Sequence, residues 1–472
     1  MTEFEFLQNG LQDQQPYIQM VQSIMEVRAR GPQPLAFVHT YGCQQNVSDG
    51  EKIKGMLQQM GYGFTDQQED ADLILFNTCA VREHAEDRVF GNVGALKNIK
   101  RRHPSMLIAL CGCMMEQEHV AEKIRKSFPF VNLVFGTHSL HRFPQLLYEA
   151  LFTGKRVIER GVDDRKVVEG IPVRRDGDIK AWLPIMYGCD NFCSYCVVPH
   201  VRGRERSRQP EAVLQEARQI ISAGYKDITL LGQNVNSYGK NLEHPVSFAQ
   251  LLRQIDEIPG EYWLRFMTSH PKDATKEMID MMAKGKHICH HLHLPFQSGS
   301  NRVLKAMNRK YTREAYLEMI AYAKSKMPDL SLTSDVIVGF PGETYEELLN
   351  SRGRVHLFVY IYFLSPGGNA GGQNGGSGFL SRKDSLVQRA AESTGGNRSE
   401  TMRVLSRTDR DGIGGRKSGT RRGIIWPDPG KYYCRVPRGR FFDRLLRPGS
   451  HYSGQELDFK GRIGCSSAII NC

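Results

Sequence analysis

The sequence contains no uninterrupted run of about 18 apolar residues, the length that a membrane-spanning helix needs. It also lacks the basic and then apolar start of a secretory signal, since residues 1–10 are acidic and polar. Its 40% of hydrophobic and 24% of charged residues are typical of an ordinary globular chain. We therefore expect a cytoplasmic protein with no membrane partner, and its 472 residues are enough for two or three domains.

Basic charge is scarce outside the last part of the chain. The formal net charge is +12, but residues 401–472 alone carry +9, which leaves +3 for the first 400 residues. The total charge is therefore a poor guide to nucleic-acid binding, and local clusters are more informative. One cluster alternates along a short segment, and we interpret it as an RNA phosphate-binding segment, with a solvated face as the alternative: Arg202, Arg204, Arg206 and Arg208.

The chain has 11 cysteines, more than a reducing cytoplasm explains by structural disulfides. Clustered cysteines in that compartment indicate metal or redox chemistry. Cys289 has no cysteine near it in the sequence, and we interpret it as a small buried hydrophobic residue. Six others form two groups of three, and the members of each group lie at related positions in the predicted fold.

Residues 35–151 are predicted to form an open parallel α/β domain. Short apolar runs alternate with helix-length segments, giving strands at 35–39, 73–76, 107–110 and 133–135 and helices at 49–60, 81–100 and 117–127. Cys43, Cys79 and Cys113, here the first trio, follow the first three strands, and loops at the carboxyl ends of neighbouring strands converge. Unless they are unrelated loop cysteines, three thiolates there suit an iron–sulfur cluster with one iron free of protein ligands. Cys111 could replace Cys113, although its place at the strand end favours the core.

Residues 175–365 show a second alternation, with strands predicted at 227–231, 263–267, 288–294, 331–338 and 355–364 and helices at 210–223 and 311–327. Repeated units of this kind predict a full or partial (β/α) barrel, whose active site lies at the carboxyl ends of its strands. The second trio, Cys189, Cys193 and Cys196, forms a C-x3-C-x2-C loop after an apolar run. This loop suits a [4Fe-4S] cluster with an open fourth iron, whereas a zinc site would need another ligand, for which His200 is the nearby candidate.

Eight motifs occur in order between about residues 35 and 350. Together they resemble the methylthiotransferases, a family of radical S-adenosylmethionine enzymes, and within it the branch that acts on N6-isopentenyl(dimethylallyl)adenosine in tRNA. The motifs are TYGCQQN (40–46), NTCAVRE (77–83), EDRVFGNVGALK (86–97), the second-trio loop (187–196), VRGRERSR (201–208), LLGQNVNSYG (230–239), QSGSNRVLKAMNRKYT (297–312) and DVIVGFPGET (335–344).

This resemblance implies methylthiolation of C2 of the modified adenosine at position 37 of tRNA. It implies two [4Fe-4S] clusters: an auxiliary cluster at the first trio that donates sulfur, and a cluster at the second trio that cleaves S-adenosylmethionine to a radical. The C2–H bond has no acidic proton, so a radical can open it where a general base cannot. The resemblance also implies a tRNA partner and an electron donor such as a flavodoxin or ferredoxin, and we expect a monomer.

Contacts to S-adenosylmethionine are predicted at strand ends. Tyr195 matches the family position that packs on the adenine. The remaining candidates offer backbone or polar groups for ribose, methionine or carboxylate contacts, with a structural role equally open for each: Gly232, Gln233, Ser269, Gln297, Arg309 and Asp335.

Two other functions stay open. Sister families methylthiolate N6-threonylcarbamoyladenosine in tRNA or an aspartate of a ribosomal protein. A different class is a non-catalytic metal-cluster protein that binds RNA.

The resemblance ends near residue 350, where the family completes its barrel and adds a small β-rich RNA-binding domain called TRAM. Residues 366–378 instead hold seven glycines in thirteen positions, and the Arg- and Gly-rich remainder shows no clear periodicity. We interpret it as irregular sequence without a clear TRAM β-barrel, either in a shifted reading frame or a disordered basic tail, and an incomplete barrel would impair activity. The predicted division is an N-terminal helical arm (1–34), the first domain (35–151), a linker (152–174), the radical core (175–365) and the tail (366–472).

Overall fold

The computed structural model describes residues 12–29, 31–80, 83–160 and 167–351, together with the backbone of 358–363. All of these fall within one structural unit. The predicted tail, 366–472, lies outside the described residues. Among the described residues, no helix has the length and apolar character needed to cross a bilayer.

The first half of the chain forms a six-stranded parallel sheet in the order β2-β1-β3-β4-β5-β6. Its strands are β1 Leu35–Thr40, β2 Gly63–Phe64, β3 Leu73–Thr78, β4 Leu107–Gly112, β5 Leu133–Phe135 and β6 Val157–Glu159. Its helices are α1 Gln15–Arg28, α2 Gln44–Gln59, α3 Glu83–Arg102, α4 Glu118–Ser127 and α5 Phe143–Thr153.

Side chains of the central strands alternate between two hydrophobic clusters, as the two-residue period of a strand requires. Leu73 and Leu75 pack with α1, α2 and α5 on one face, while Ile74 and Phe76 pack with α3 and α4 on the other. Helices cover both faces, which is why β3 and β4 are buried along their whole length. The predicted parallel α/β domain is confirmed.

The boundaries of this domain differ from the predicted division in two ways. β6 lies inside the predicted linker 152–174 and pairs with β5, so the sheet extends past residue 151. The predicted arm 1–34 is helical, but α1 buries Ile18, Val21 and Met25 in the same cluster as α2 and α5. It is therefore a packed element of the domain, because its apolar face has no other way to leave water.

The second half alternates strands and helices as a partial (β/α) barrel. Strands β7 Lys180–Pro184, β10 Asp227–Leu231 and β11 Trp263–Phe266 form one parallel group, and β12 His291–His293, β13 Ser331–Val338 and β14 Phe358–Phe363 form another. A parallel bridge between Leu264 and Ile288 joins the two groups. The short strands β8 Met186–Tyr187 and β9 Arg206–Ser207 pair antiparallel beside the second-trio loop. The helices are α6 Val198–Val201, α7 Pro210–Ser222, α8 Phe248–Asp256, α9 Lys276–Lys284, α10 Asn301–Ala306, α11 Arg313–Lys326 and α12 Tyr345–Asn350.

Four helices of this half begin at a hydroxyl side chain that accepts a hydrogen bond from the backbone N–H three residues later. Such caps satisfy N–H groups that the first helical turn leaves unpaired. The capping residues are Ser247, Thr275, Ser300 and Thr312. The caps fix where these helices begin. Because the strands run parallel, the loops that follow them lie at the same edge, where the second trio lies.

Candidate iron–sulfur and cofactor sites

The first trio lies at the carboxyl edge of the six-stranded sheet. Cys43 is the N-cap residue of α2, Cys79 follows β3, and Cys113 begins a short 3-10 helix after β4. All three are buried. The Sγ atoms of Cys43 and Cys113 lie 3.5 and 3.6 Å from the same Oδ1 of Asn46, so α2 and the loop after β4 meet at one point.

Glycine makes the approach of these loops possible. Gly42 has φ +107°, and a Cβ built on it would lie 2.3 Å from the Cβ of Cys79. Gly112 has φ +98°, and its Cβ would lie 2.3 Å from the carbonyl oxygen of Thr78. Any side chain at either position would push the cysteine loops apart.

Cys111 takes no part in this convergence. It lies within β4, pairs with Asn77 and Phe135, and is buried in the hydrophobic cluster with α1, α2 and α5. Its side chain therefore belongs to the core, whereas Cys113 lies on the loop beyond the strand.

Arg202 is a partner of the first trio that the sequence did not reveal. Its Nε donates a hydrogen bond to the Sγ of Cys113 over 3.1 Å. Its Nη2 donates to Oδ2 of Asp49 over 2.7 Å and to Oδ1 of Asn46 over 2.8 Å. The side chains of Arg202 and Asp49 are each only 6% exposed, so this is a desolvated ion pair beside the cysteines.

These contacts correct the interpretation of the arginine run. Arg202 is buried, and so is Arg208, whose guanidinium pairs with Glu169 at 2.6 Å and Glu216 at 2.7 Å. Buried and paired guanidinium groups are not available to RNA phosphates, so the prediction is wrong for both residues.

The two remaining arginines lie nearer the surface. Arg204 is 48% exposed and contacts Asp190 at 3.1 Å, and its guanidinium lies over the ring of Phe192. Arg206 is half-buried and donates to the carbonyl of Arg202 over 2.9 Å.

The second trio is held by a loop that the barrel fixes at several backbone positions. The N–H of Cys189 donates to the carbonyl of Gly203, and the N–H of Ser194 donates to the carbonyl of Met307. Within the loop, the N–H of Cys196 donates to the carbonyl of Cys193 over 2.9 Å. The three thiols therefore have a fixed arrangement, with Cys189 and Cys193 buried and Cys196 partly exposed.

Two nitrogen donors face Cys193. Nη1 of Arg309 lies 3.8 Å from its Sγ and 2.9 Å from the hydroxyl of Tyr195. Nε2 of His270 lies 4.0 Å from the same sulfur, and Nδ1 of that ring accepts a hydrogen bond from the N–H of Lys272. Because Nδ1 is the acceptor, Nε2 carries the proton and points it at the cysteine. His270 carries no motif signature, so sequence reasoning missed it.

Burial shifts the pKa values of the cysteine thiols and of His270. It raises the pKa of the Cys113 thiol to about 12, although the charge of Arg202 opposes the rise. It also raises the pKa of Cys189 to about 12 and that of Cys196 to about 11. Burial lowers the pKa of His270 to about 2, with Arg309 acting in the same direction. Thiols buried in this way need a strongly attracting partner to become thiolates, and iron supplies it.

No three His, Cys, Asp or Glu side chains in the described ranges are grouped to hold a single metal ion. The thiolates of an iron–sulfur cluster bind different iron atoms, so a cluster does not require such a group. Three cysteines at each site fit the donor set of an iron–sulfur cluster with one open iron. The Asp49 carboxylate near the first trio is already engaged by Arg202.

Two of the predicted S-adenosylmethionine contacts have buried polar atoms without a hydrogen-bond partner among the described residues. They are Oγ of Ser269, after β11, and Oε1 of Gln297, after β12, where the residue adopts φ +64°. Buried polar groups are normally paired, so such orphan atoms at adjacent strand ends fit a polar ligand. Asp335 lies in β13 with its carboxylate 3.4 Å from Nε2 of His293.

Four other predicted contacts have structural partners. The amide oxygen of Gln233 accepts a hydrogen bond from the N–H of Gly188, just before the second trio. A Cβ on Gly232 would lie 2.5 Å from Cγ of Met186, so the strand ends pack closely there. Tyr195 and Arg309 pair with each other, as described above.

Comparisons with known proteins match both halves of the chain. Residues 183–354 match the Radical SAM superfamily, and residues 36–136 match the Uncharacterized protein family UPF0004. Among solved structures, the radical S-adenosylmethionine methyltransferase TsrM of Kitasatospora setae aligns with a TM-score of 0.52 at 13% identity, over 70% of this chain and 72% of that one. The cobalamin-dependent radical enzyme OxsB aligns with a TM-score of 0.52 at 14% identity, over 68% and 51%. These two likenesses show the fold alone.

Curated relatives are much closer in sequence. A tRNA-2-methylthio-N(6)-dimethylallyladenosine synthase of Thermoanaerobacter sp. (strain X514) is 53% identical over 331 residues, which are 69% of this chain and 70% of the relative. That of Caldicellulosiruptor saccharolyticus is 55% identical over 337 residues, 70% of this chain and 72% of the relative. With such identity over more than two thirds of each relative, the chain belongs to the tRNA-2-methylthio-N(6)-dimethylallyladenosine synthase family.

Proposed function

We propose that this protein methylthiolates C2 of N6-dimethylallyladenosine at position 37 of tRNA. The observation that supports this proposal is the presence of two cysteine trios in one structural unit, with Arg202 contacting Cys113 of the first trio only six residues after Cys196 of the second. A radical site alone would serve many reactions, and a second cluster site beside it favours sulfur insertion. Family membership supports the choice of base.

The two cysteine trios form two separate cluster sites. Cys189, Cys193 and Cys196 hold the radical-generating [4Fe-4S] cluster, and Cys43, Cys79 and Cys113 hold the auxiliary one. When bound, S-adenosylmethionine and these clusters supply the methyl group, the carbon radical chemistry and the sulfur. The protein's own side chains keep the two sites close together and exclude water from both, since five of the six thiols are buried.

The polar atoms at the barrel strand ends orient S-adenosylmethionine in this proposal. Oγ of Ser269 and Oε1 of Gln297 have no partner among the described residues. The hydroxyl donates or accepts a hydrogen bond with the polar groups of the cofactor, and the amide oxygen accepts one. Arg309 holds the hydroxyl of Tyr195 at 2.9 Å, which fixes the aromatic ring that packs on the adenine. Gly232 and Gln233, which follow β10, and Asp335, within β13, lie on the strands that carry this site.

We propose tRNA as the macromolecular partner, with Arg204 as a phosphate contact because its side chain is 48% exposed near the second trio. We also propose a monomer in the cytoplasm that receives electrons from a flavodoxin or ferredoxin. Light scattering coupled to gel filtration tests the monomer, and reduction by each purified donor tests the electron source.

The decisive experiment compares two triple variants of the full chain after anaerobic cluster reconstitution. Changing Cys43, Cys79 and Cys113 to Ala removes one cluster and all 2-methylthio product, but 5′-deoxyadenosine still forms on reduction. Changing the second trio to Ala abolishes both products. Cys289→Ala, outside both trios, is the matched control and keeps both.

The same assay separates the alternatives. Retained methylthiolation without the first trio would refute the auxiliary-cluster role. No 5′-deoxyadenosine from the native chain would favour a non-catalytic RNA-binding protein. Product on threonylcarbamoyladenosine tRNA or on a ribosomal-protein aspartate, with none on dimethylallyladenosine tRNA, would move the protein to a sister family.

A further inference from the structure

Arg202 connects the first trio with the segment that carries the second. We propose that Arg202 is a positioning residue for the auxiliary cluster: its Nε–H donates to the Cys113 thiolate, raises the reduction potential of that cluster and holds it in register with the radical site. This inference rests on the proposed function only in naming the group that Cys113 binds.

The direction of the hydrogen bond is fixed by chemistry. A guanidinium has five N–H donors and no acceptor, so at 3.1 Å the sulfur of Cys113 is the acceptor. Thiolate is a better acceptor than thiol, because hydrogen bonds to an ionised acceptor are stronger. The contact therefore strengthens when Cys113 binds iron.

The guanidinium is held in one orientation. Its Nη2 donates to Asp49 and to Asn46, and Asn46 in turn donates from Nδ2 to the carbonyl of Thr78 over 2.7 Å. Asp49 and Asn46 both belong to α2, whose N-cap is Cys43. Arg202 thus contacts both the loop that carries Cys113 and the helix α2 that begins at Cys43.

The electrostatic effect follows from burial. A buried positive charge that donates to a cluster sulfur stabilises the form with the extra electron, which raises the reduction potential. Asp49 neutralises part of that charge, but the hydrogen bond to sulfur remains directional. Loss of the donor is expected to make the potential more negative.

The Arg202 side chain also links the first trio to the segment that follows the second trio. Arg202 is the C-cap residue of α6, which follows Cys196 directly in the chain. α6 is also tied to the first domain by the hydroxyl of Thr137, which donates to the carbonyl of Val201 over 2.7 Å. Movement of either cluster loop would break these contacts.

The test measures the potential of each cluster separately. In the full chain with Cys189, Cys193 and Cys196 changed to Ala, only the auxiliary cluster remains, and EPR-monitored titration gives its midpoint potential. Arg202→Gln is expected to shift that potential to a more negative value. Arg202→Lys keeps a buried positive charge but carries it on one nitrogen, without the planar fork that spans sulfur and carboxylate in Arg202, so it shifts the potential less than Arg202→Gln.

Arg208→Gln is the matched control, because it also removes a buried, ion-paired guanidinium, but one that contacts no cysteine in the part of the chain that the structure describes. It is expected to leave the auxiliary potential unchanged. In the complementary background, with the first trio changed to Ala, Arg202→Lys is expected to leave the potential of the radical cluster unchanged.

An auxiliary potential that does not change in either Arg202 variant would overturn the proposal, as would an equal shift in Arg208→Gln. If Arg202→Gln does not fold, the auxiliary-cluster potential of Arg202→Lys still tests the proposal. Lack of tRNA modification by the native chain would refute the proposed function instead, while the potentials would still report on Arg202.

Discussion

Nζ of Lys52 lies 2.7 Å from the phenolic oxygen of Tyr187 and joins the helix that starts beside Cys43 to the strand that leads into Cys189. The lysine is buried, yet its pKa is raised: burial opposes the charge, but Tyr187, Asp49 and Glu216 together favour it. This pair is a second link between the two cluster sites, independent of Arg202.

Tyr187→Phe should destabilise the protein by about 1–3 kcal/mol, because it leaves a buried ammonium group short of a hydrogen-bond acceptor. Urea unfolding measures the change in free energy. Tyr322→Phe is the matched control, since its hydroxyl donates to Asp280 over 2.7 Å without a buried ammonium group beside it, and it should destabilise the protein less than Tyr187→Phe does. An equal loss of unfolding free energy in Tyr187→Phe and Tyr322→Phe would contradict a stabilising role for the buried Lys52–Tyr187 pair.

Gly42→Ala should remove the auxiliary cluster while leaving the radical cluster in place. The new Cβ would lie 2.3 Å from that of Cys79, and the backbone has φ +107°, so the loop must shift. Iron content should fall by about half, and 5′-deoxyadenosine formation should persist. Gly91→Ala is the control. It adds a Cβ on a helix with nothing within 4 Å, so its iron content should equal that of the native protein. A native iron content in Gly42→Ala would show that the auxiliary cluster does not need a glycine at position 42.

Glu51→Gln should stabilise the protein more at pH 8 than at pH 5. Burial raises the pKa of Glu51 to about 7, although Arg175 at 3.6 Å opposes the rise. Since the folded-state pKa exceeds the unfolded value of 4.5, the stability from the protonated form is complete below pH 4.5 and is lost as the pH rises through 7. Glutamine mimics the protonated form at every pH.

The measurement is the change in thermal midpoint caused by the substitution at each pH. Glu122→Gln, at an exposed helical position, is the control and should give the same change at both pH values. A Glu51→Gln effect that is larger at pH 5 would show that the carboxylate is stabilised by its arginine.

Ser269→Ala should raise the KM for S-adenosylmethionine by about 2- to 10-fold, the range expected for one hydrogen bond. The hydroxyl is buried and has no partner among the described residues, so its removal should leave folding stability nearly unchanged. The initial rate of 5′-deoxyadenosine formation against cofactor concentration gives KM. Ser325→Ala, on a helix surface, is the control. An unchanged KM for Ser269→Ala would remove this residue from the cofactor site.

Local patterns predicted the strands well because each strand carries its own signal. Apolar runs such as 133–135 and 227–231 matched β5 and β10 residue for residue. The positions of the cysteines then followed from topology, since the carboxyl ends of parallel strands share one edge. β6 was missed because one of its three residues is charged and it lies in a charge-rich segment that we interpret as a linker.

The partners of the arginines could not be predicted in the same way. The sequence of alternating arginines 202–208 says nothing of burial, and Arg202 finds Asp49 across 153 positions of the chain. His270 meets Cys193 across 77 positions, with no shared motif. The Arg202 contact depends on how the two halves of the chain pack, and the His270 contact on how the barrel strands close. No local period encodes either one.

The packing of α1 has a consequence for synthesis on the ribosome. Its apolar face meets α5, and Oε1 of Gln14 accepts a hydrogen bond from the N–H of Gln145, 131 positions later. At about 5–20 residues per second, the first helix waits roughly 7–25 seconds for its partner to be made. Until α5 is made, Ile18, Val21 and Met25 lack the part of their hydrophobic cluster that α5 supplies, so apolar surface on α1 is open to chaperones in the nascent chain.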